Sequence, residues 1–463
     1  MQDRTRNSTN STKVQASSNA RDWTQGSILK NLVSLSWPMA VNNSINTIGP
    51  LVDMIWVGKL GSDAVAAVGV AGTVVMLVNS LSIGLFTGLR SLVSRFIGAR
   101  DTEGAVDAAR QAIVFGIIYS IIIAAVGIFF SESILRILGV EENLVALGEP
   151  YLRIEMIGMM TMTFRIMTDG TMQASGDTRT PMKIAIAFRA LHIILAPFLV
   201  FGLGFFPAAG IRGVAITGVV SQGLGTVLGL WILCRGHSRL RLTFKNFRFN
   251  TSTIWRLVKI GIPSSIMMLQ SQLGQLVLVR LMVSFGTIAV AAHTICQRID
   301  MTISFPIMGL AAGSGILVGQ NLGARQPQRA AKSGWVAFAA AEIILVVVCL
   351  IVLIWPEIII RVFSSDPELI QVASVFVRIA ALGFIFGGGA QIFQQSLAVA
   401  GDTLPPMIIS IIAIWGIQVP LALVFARIDS LMGVRWAIIG GFGLTMLASG
   451  IYFSIGRWKR QKV

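Results

Sequence analysis

The chain repeats itself at a fixed offset of 225 residues. Pro38 recurs as Pro263, and Gly61 with Ala64-Val65-Ala66-Ala67 recurs as Gly286 with Ala289-Val290-Ala291-Ala292. Gly84 and Gly88 recur as Gly309 and Gly313, and Gly98-Ala99-Arg100 as Gly323-Ala324-Arg325. The register holds through Glu132 and Arg136 (Glu357, Arg361) and Arg153-Ile154 (Arg378-Ile379) to Gly176-Asp177-Thr178 and Pro181-Met182 (Gly401-Asp402-Thr403, Pro406-Met407). So many Gly, Pro and charged matches without a gap mean two copies of one unit. The contact between the copies is the first place to expect a site.

Composition decides what the unit is made of. Residues are 54% hydrophobic and only 13% charged, and mean hydropathy is +0.76. A soluble domain carries about twice that charged fraction. The long apolar runs predict twelve membrane helices over 33–57, 65–90, 107–130, 147–170, 184–206, 211–234, 256–281, 287–313, 334–355, 371–395, 407–427 and 434–456. Each is long enough for a hydrocarbon core about 30 Å thick. The fourth and tenth are the weakest, because they hold Glu155, Arg165, Asp169 and Arg378. A bilayer leaves unpaired backbone groups no water, so spans of this length are helices.

The net charge of +16 resembles a nucleic-acid signature, but its placement excludes that partner. Of 37 Lys and Arg, 24 lie before the first span, after the twelfth, or in or bordering the loops after the second, fourth, sixth and eighth; eight lie in or bordering the opposite loops. The positive-inside rule then predicts both termini in the cytoplasm, as an even span number requires. Membrane lipids are the expected partner of the basic stretch Arg235–Lys259. Six spans per copy give a parallel repeat about an axis along the membrane normal. The expected fold is an all-α membrane protein with two six-helix lobes around a central cleft. The expected divisions are a disordered cytoplasmic tail (1–28), an N-terminal lobe (29–235), a basic cytoplasmic linker (236–255), a C-terminal lobe (256–457) and a short cytoplasmic tail (458–463). Residues 1–26 lack an apolar run, so no signal peptide is expected. The sequons at Asn7 and Asn10 would sit on the unglycosylated side.

Local patterns are mostly structural. Gly84 and Gly88, like Gly309 and Gly313, form small-xxx-small faces for close helix contact. Gly98 and Gly323 are expected as left-handed helix ends. Cys234, Cys296 and Cys349 read as small packing residues rather than metal ligands or disulfide partners. The methionines crowding the fourth span (Met156, Met159, Met160, Met162, Met167, Met172) read first as apolar filler.

Several stretches together resemble a known family. Leu35-Ser36-Trp37-Pro38, Leu51-Val52-Asp53-Met54-Ile55-Trp56-Val57-Gly58, Ala174-Ser175-Gly176-Asp177-Thr178-Arg179-Thr180-Pro181 and Leu317-Val318-Gly319-Gln320-Asn321-Leu322-Gly323-Ala324 resemble the multidrug and toxic compound extrusion (MATE) transporters over about residues 30–456. The resemblance implies a twelve-helix antiporter of a prokaryotic plasma membrane, exporting small organic molecules against inward Na⁺ or H⁺. It implies no enzymatic activity and no cofactor beyond the coupling ion, and a monomer is expected. It also implies that Asp53 belongs to a cation-coupling site. Many relatives carry an Asn and, four residues later, an Asp before the proline of the fifth helix. Here His192 and Ala196 stand before Pro197. A partner carboxylate is missing and an imidazole has appeared, which favours H⁺ over Na⁺ because Na⁺ prefers oxygen ligands and an imidazole titrates near neutral pH.

Charges inside a bilayer are costly and each needs a reason. Pro38 and Pro50 remove helix donors near Asp53, so they are candidate hinges that leave carbonyls free as ligands. Arg165 and Asp169 are spaced for an ion pair within one helix. Arg189 shares a face with His192, and Arg90 is placed to snorkel. These arginines outnumber the acids, which suits anionic or zwitterionic solutes unless they only neutralise Asp53 and Asp169. In the second half, Gln270, Gln272 and Gln275 stand where some relatives carry an acid, and His293, Arg298 and Asp300 cluster on the eighth helix. No phosphate-cradling Gly-x-x-x-x-Gly-Lys motif is present, against ATP hydrolysis. A flippase for a lipid-linked or amphipathic anionic substrate is the alternative function, and a non-transporting scaffold or channel a third.

Overall fold

The computed structural model describes residues 21–204, 206–245, 247–428 and 430–461, and among them the regular structure is helical throughout. The two sequons and most of the expected N-terminal tail lie outside the described residues. The first six long helices are α1 (Ile28–Gly58), α2 (Ser62–Gly98), α3 (Thr102–Ile137), α4 (Glu142–Ser175), α5 (Arg179–Phe201) and α6 (Gly210–Arg235). The second six are α7 (Thr251–Val283), α8 (Thr287–Gly323), α9 (Pro327–Ile354), α10 (Pro367–Val399), α11 (Leu404–Arg427) and α12 (Leu431–Ile455). A six-residue helix, Pro356–Arg361, precedes α10. The expected twelve helices are present. Ten have a long apolar stretch; the two without one are α1 and α4. The fourth was expected to be weak. The other weak span is the first rather than the tenth, because α1 carries four asparagines beside Lys30 and Asp53.

Local chemistry sets the helix ends. Ser27, Asp101, Asn250, Asp366 and Ser430 each accept an amide of the first turn that follows, as N-caps do. Helices α2 and α8 each run 37 residues, about 55 Å at 1.5 Å per residue, so both project beyond the hydrocarbon core. Inside α11 the stretch Ile412–Gln418 widens to a π-helix. Pro420, just beyond it, removes a helix donor there.

The two halves cross over. Leu32, Leu35 and Met39 at the start of α1 pack into the core built by α8 to α12. Leu257 at the start of α7 packs into the core of α2 to α6. Each lobe's first helix therefore begins against the other lobe and ends in its own. Pro38 and Pro263, equivalent in the repeat, lie in these crossing segments.

The repeated glycines make the crossings possible. A methyl on Gly88 would stand 2.6 Å from the Leu257 carbonyl oxygen. One on Gly309 would stand 2.6 Å from the Ala40 side chain. Gly98 lies against the Gln320 backbone and Gly323 against that of Arg95. The expectation of left-handed ends at Gly98 and Gly323 is corrected here. Both stay helical, and the left-handed residues are Arg100 (φ 59°) and Arg325 (φ 57°). Close approach, not backbone freedom, requires these glycines. Gly176 and Gly401 do take left-handed ends, at φ 93° and 88°.

The described chain ends lie on one face. Arg329 donates to the Gly26 carbonyl (2.7 Å), and Trp458 is fully buried, stacked on Phe453. Residues 21–28, expected to be tail, pack: Trp23 is buried beneath the Arg21 and Arg239 guanidiniums. Trp458 likewise takes the start of the expected C-terminal tail into the core. The expected linker 236–255 folds back, with Leu240 and Leu242 buried and the Leu242 amide bonded to the Leu233 carbonyl (2.9 Å). Helix α7 starts within it, at Thr251. Apolar residues among the basic ones explain these differences.

Candidate functional site: an acid–imidazole pair, a central cleft and a second-lobe cavity

In the first lobe, the far end of α1 meets α5. His192 Nε2 lies 2.8 Å from Asp53 Oδ1, and His192 Nδ1 lies 3.2 Å from Ser221 Oγ on α6. His192 is 2% exposed at its side chain and Asp53 20%. The Ser221 hydroxyl has one proton and lies within bonding distance of the Thr217 (2.7 Å) and Gly218 (3.1 Å) carbonyls. A hydroxyl that donates to a carbonyl accepts from Nδ1–H, whereas one that donates to Nδ1 leaves Nε2–H to donate to Asp53 from a neutral ring. In both arrangements a proton lies between Nε2 and Asp53 Oδ1.

A second carboxylate, from another helix, stands near Asp53. Glu155 on α4 faces α6, where a methyl on Gly218 would lie 3.4 Å from its Oε1. It is near enough to Asp53 for the two charges to interact, with Tyr151 beside them. In the sequence Glu155 signalled only a weak span. A second acid within reach of the first was the missing clue, and that required the packing of α4 on α6.

Arg189 reaches α1 two turns before Asp53. Its Nη2 donates to the Asn46 carbonyl (3.0 Å) and its Nε to that of Ile45 (3.1 Å). The Asn46 carbonyl is the one that Pro50 leaves without a helix donor. The expectation that this carbonyl is free as a cation ligand is thus corrected: a guanidinium occupies it. Arg165 and Asp169 form the expected pair, buried, at 2.8 Å. Arg90 does not snorkel. It is buried and donates to the Ala312 carbonyl of the other lobe (2.9 Å). That carbonyl lines the central cleft where α2 meets α8.

The central cleft lies between the lobes and has an empty volume of 1270 Å³. Arg90, Arg165 and Asp169 line it from the first lobe, with Asn42, Asn43 and Asn46 of α1. Its methionines are Met39, Met267, Met268 and Met308. The α4 methionines Met156, Met159, Met167 and Met172 are buried instead. Gln391 and Gln395, one turn apart on α10, also face the cleft. Their four-residue spacing was visible in the sequence, but amides in a helix are usually interhelical glue.

In the second lobe, Gln270 donates to Ser410 (2.6 Å), and Gln275 accepts from Gln297 (2.6 Å). Gln272 is half-buried on α7. His293 and Asp300 line a common cavity, but Arg298 is exposed and absent from it. Arg298 and Asp300 are two residues apart on one helix and so point to different faces; pairing between them is excluded. The cation near His293 is Arg435 of α12, whose Nη1 lies 3.0 Å from His293 Nδ1. Its Nη2 lies 2.7 Å from Cys296 Sγ, so Cys296 is more than filler. In the sequence Arg435 was only one of the eight cations assigned to the side opposite the termini. Among the described residues no group of His, Cys, Asp and Glu has the geometry of a metal site.

Two bundles crossing at small residues, with buried charges in each, define a multi-pass membrane transporter. The MatE family profile matches residues 38–198 and 263–424, one segment in each half of the repeat. The chain belongs to this family. It is similar to the "Probable multidrug resistance protein YpnP" of Bacillus subtilis (strain 168), 26% identical over 96% of this chain and 99% of that protein. It is also similar to a "FAD transporter" of Shewanella oneidensis, 25% identical over 84% of this chain and 86% of that one. A solved structure, a MATE protein in the bent conformation, matches with a TM-score of 0.86 at 25% identity, covering 94% of this chain and 96% of that chain.

Proposed function

We propose that this chain is an antiporter that exports small amphipathic organic molecules against inward movement of H⁺. The site is the Asp53–His192 pair with Glu155. The protein would work as a monomer in a prokaryotic plasma membrane, with both termini cytoplasmic. The observation that carries this reading is the 2.8 Å contact between His192 Nε2 and Asp53 Oδ1, with Ser221 against Nδ1. A hydrogen-bonded imidazole and carboxylate can take up one proton together. Releasing it leaves one more unit of negative charge near Glu155, and like charges in a low-dielectric pocket repel.

Coupling to transport follows from α1. Its far end carries Asp53 in the first lobe, and its near end is packed in the second. Moving the Asp53 end relative to α5 changes the angle between lobes, with Pro38 and Pro50 as the bending points. The central cleft supplies room, flexible methionine walls and the Arg90 cation. Relatives described as multidrug resistance proteins and as an FAD transporter support organic solutes of more than one charge type.

The test is efflux of an organic dye from proteoliposomes under an imposed pH gradient or an imposed Na⁺ gradient. Export driven by the pH gradient and collapsed by a protonophore supports the reading. Export driven by Na⁺ alone removes the proton and transfers the role to Asp53 and Glu155 as oxygen ligands.

A further inference from the structure

The second lobe has a cavity of its own that the coupling pair does not explain. It has an empty volume of 480 Å³ and is lined by Arg435, His293, Cys296 and Asp300 between apolar walls that include Phe384 and Phe442. Leu278, the repeat equivalent of Asp53, also lines it. The cavity is thus the counterpart of the acidic pocket, but its acid is replaced by Leu and its charges come from other helices.

Arg435 is 6% exposed. Its two terminal nitrogens are held by a neutral imidazole and a thiol, and its third face lies over Phe376 at 5.0 Å. Among the described residues it makes no ion pair, and its Nε and His293 Nε2 are buried without a hydrogen-bond partner. A buried guanidinium whose hydrogen-bond partners are all neutral is costly unless an anion joins it. Among the described residues Asp300 is the only acid lining the same cavity; it is near enough for its charge to interact with that of Arg435, but the two form no ion pair. His293 and Cys296 hold the guanidinium fork, so one pocket presents a positive and a negative charge without direct contact.

We propose that this second-lobe cavity binds a zwitterionic organic solute, with the solute carboxylate on Arg435, its ammonium on Asp300 and its apolar body against Phe384 and Phe442. A solute with both charges satisfies both groups, whereas a singly charged one leaves its counterpart buried and unmatched. A route exists. The cavity shares Asp300, Gly383, Phe384 and Phe442 with a neighbouring cavity of 940 Å³. That cavity shares Gln391 with the central cleft. The inference deepens the exporter reading by naming a substrate class, and its test reads binding without any gradient, so the two fail separately.

The test is calorimetric titration of the purified full-length protein with three probes built on one para-substituted benzene ring: para-(aminomethyl)benzoate, para-toluate and para-methylbenzylamine. The zwitterion is expected to bind about tenfold more tightly than either singly charged probe, a difference of about 1.4 kcal/mol. R435Q should remove the advantage of the zwitterion over para-methylbenzylamine, and D300N its advantage over para-toluate. R435K, which keeps the charge but not the fork, should retain part of the selectivity if R435Q fails to fold. Equal affinities for the three probes in the unmodified protein, or no measurable binding of the zwitterion, overturn the proposal. So does a zwitterion preference that survives both R435Q and D300N.

Discussion

The Arg189 guanidinium donates to the carbonyl of Asn46 at 3.0 Å, closing the gap that Pro50 opens in the hydrogen bonding of α1. The turn of α1 that Pro50 leaves short of a donor is therefore held by a charge from α5. The same α5 carries His192 three residues on, so one helix face contacts both this turn and the acid beyond it.

Removing the clamp should be costly and partly reversible. A hydrogen bond from a charged group contributes about 1.5–3 kcal/mol. Arg189→Met should lower stability by about 2 kcal/mol on that basis. Pro50→Ala restores a backbone donor for Asn46. The double variant should lose less than the sum of the single changes, which thermal unfolding of all four proteins would measure.

The lobes are also joined by a reciprocal pair. Arg95 donates to the Ala400 carbonyl (3.1 Å) and Gln320 to that of Ala174 (2.9 Å). Arg95 and Gln320 are equivalent in the repeat, and each reaches the end of a helix in the other lobe. Gln320→Ala should loosen this end by about 1 kcal/mol, the value of a typical internal hydrogen bond. A cysteine at Met267 in the cleft, in a cysteine-free background, should then react faster with a thiol reagent applied from the side of the chain termini. An unchanged rate would remove Gln320 from lobe closure.

Glycine substitutions should divide by location. Gly98→Ala and Gly323→Ala push a methyl into the opposite backbone and should cost about 1–3 kcal/mol. Gly69→Ala and Gly72→Ala meet nothing within 4 Å and should be neutral or slightly stabilising in their helix. Melting temperatures of the four variants check this directly.

The proton reading makes a separate prediction at His192. His192→Asn keeps a polar group against Ser221 and Asp53 but cannot carry a charge. The pH dependence of dye export should shift, with expression and melting temperature close to those of the parent. An unchanged pH profile would give His192 a packing role only.

The repeat, the twelve helices and the family could be read from the chain because each rests on patterns that survive in one dimension: period, apolar length and glycine placement. The Arg165–Asp169 pair was legible for the same reason, since its four-residue spacing is fixed by the helix. Arg435 with His293, Glu155 near Asp53 and Arg189 on Asn46 were not. Each joins helices far apart in sequence, and nothing in a single helix states which neighbour it faces. Arg90 illustrates the opposite error. Its distance along α2 suggested water, but the crossing of α2 with α8 buries it. Buried leucines in the linker and the buried Trp23 and Trp458 show that basic composition alone overstated the loose ends.

The most direct test of the central claim is Asp53→Asn in proteoliposomes loaded with dye under an imposed pH gradient. The account predicts that gradient-driven uphill export is lost, by a factor of about one hundred or more, as expected when a group essential to a coupled step is removed. Dye exchange down its own gradient should persist, because the cleft and the lobes are intact. Uphill export at the parent rate in the Asp53→Asn protein would contradict the account.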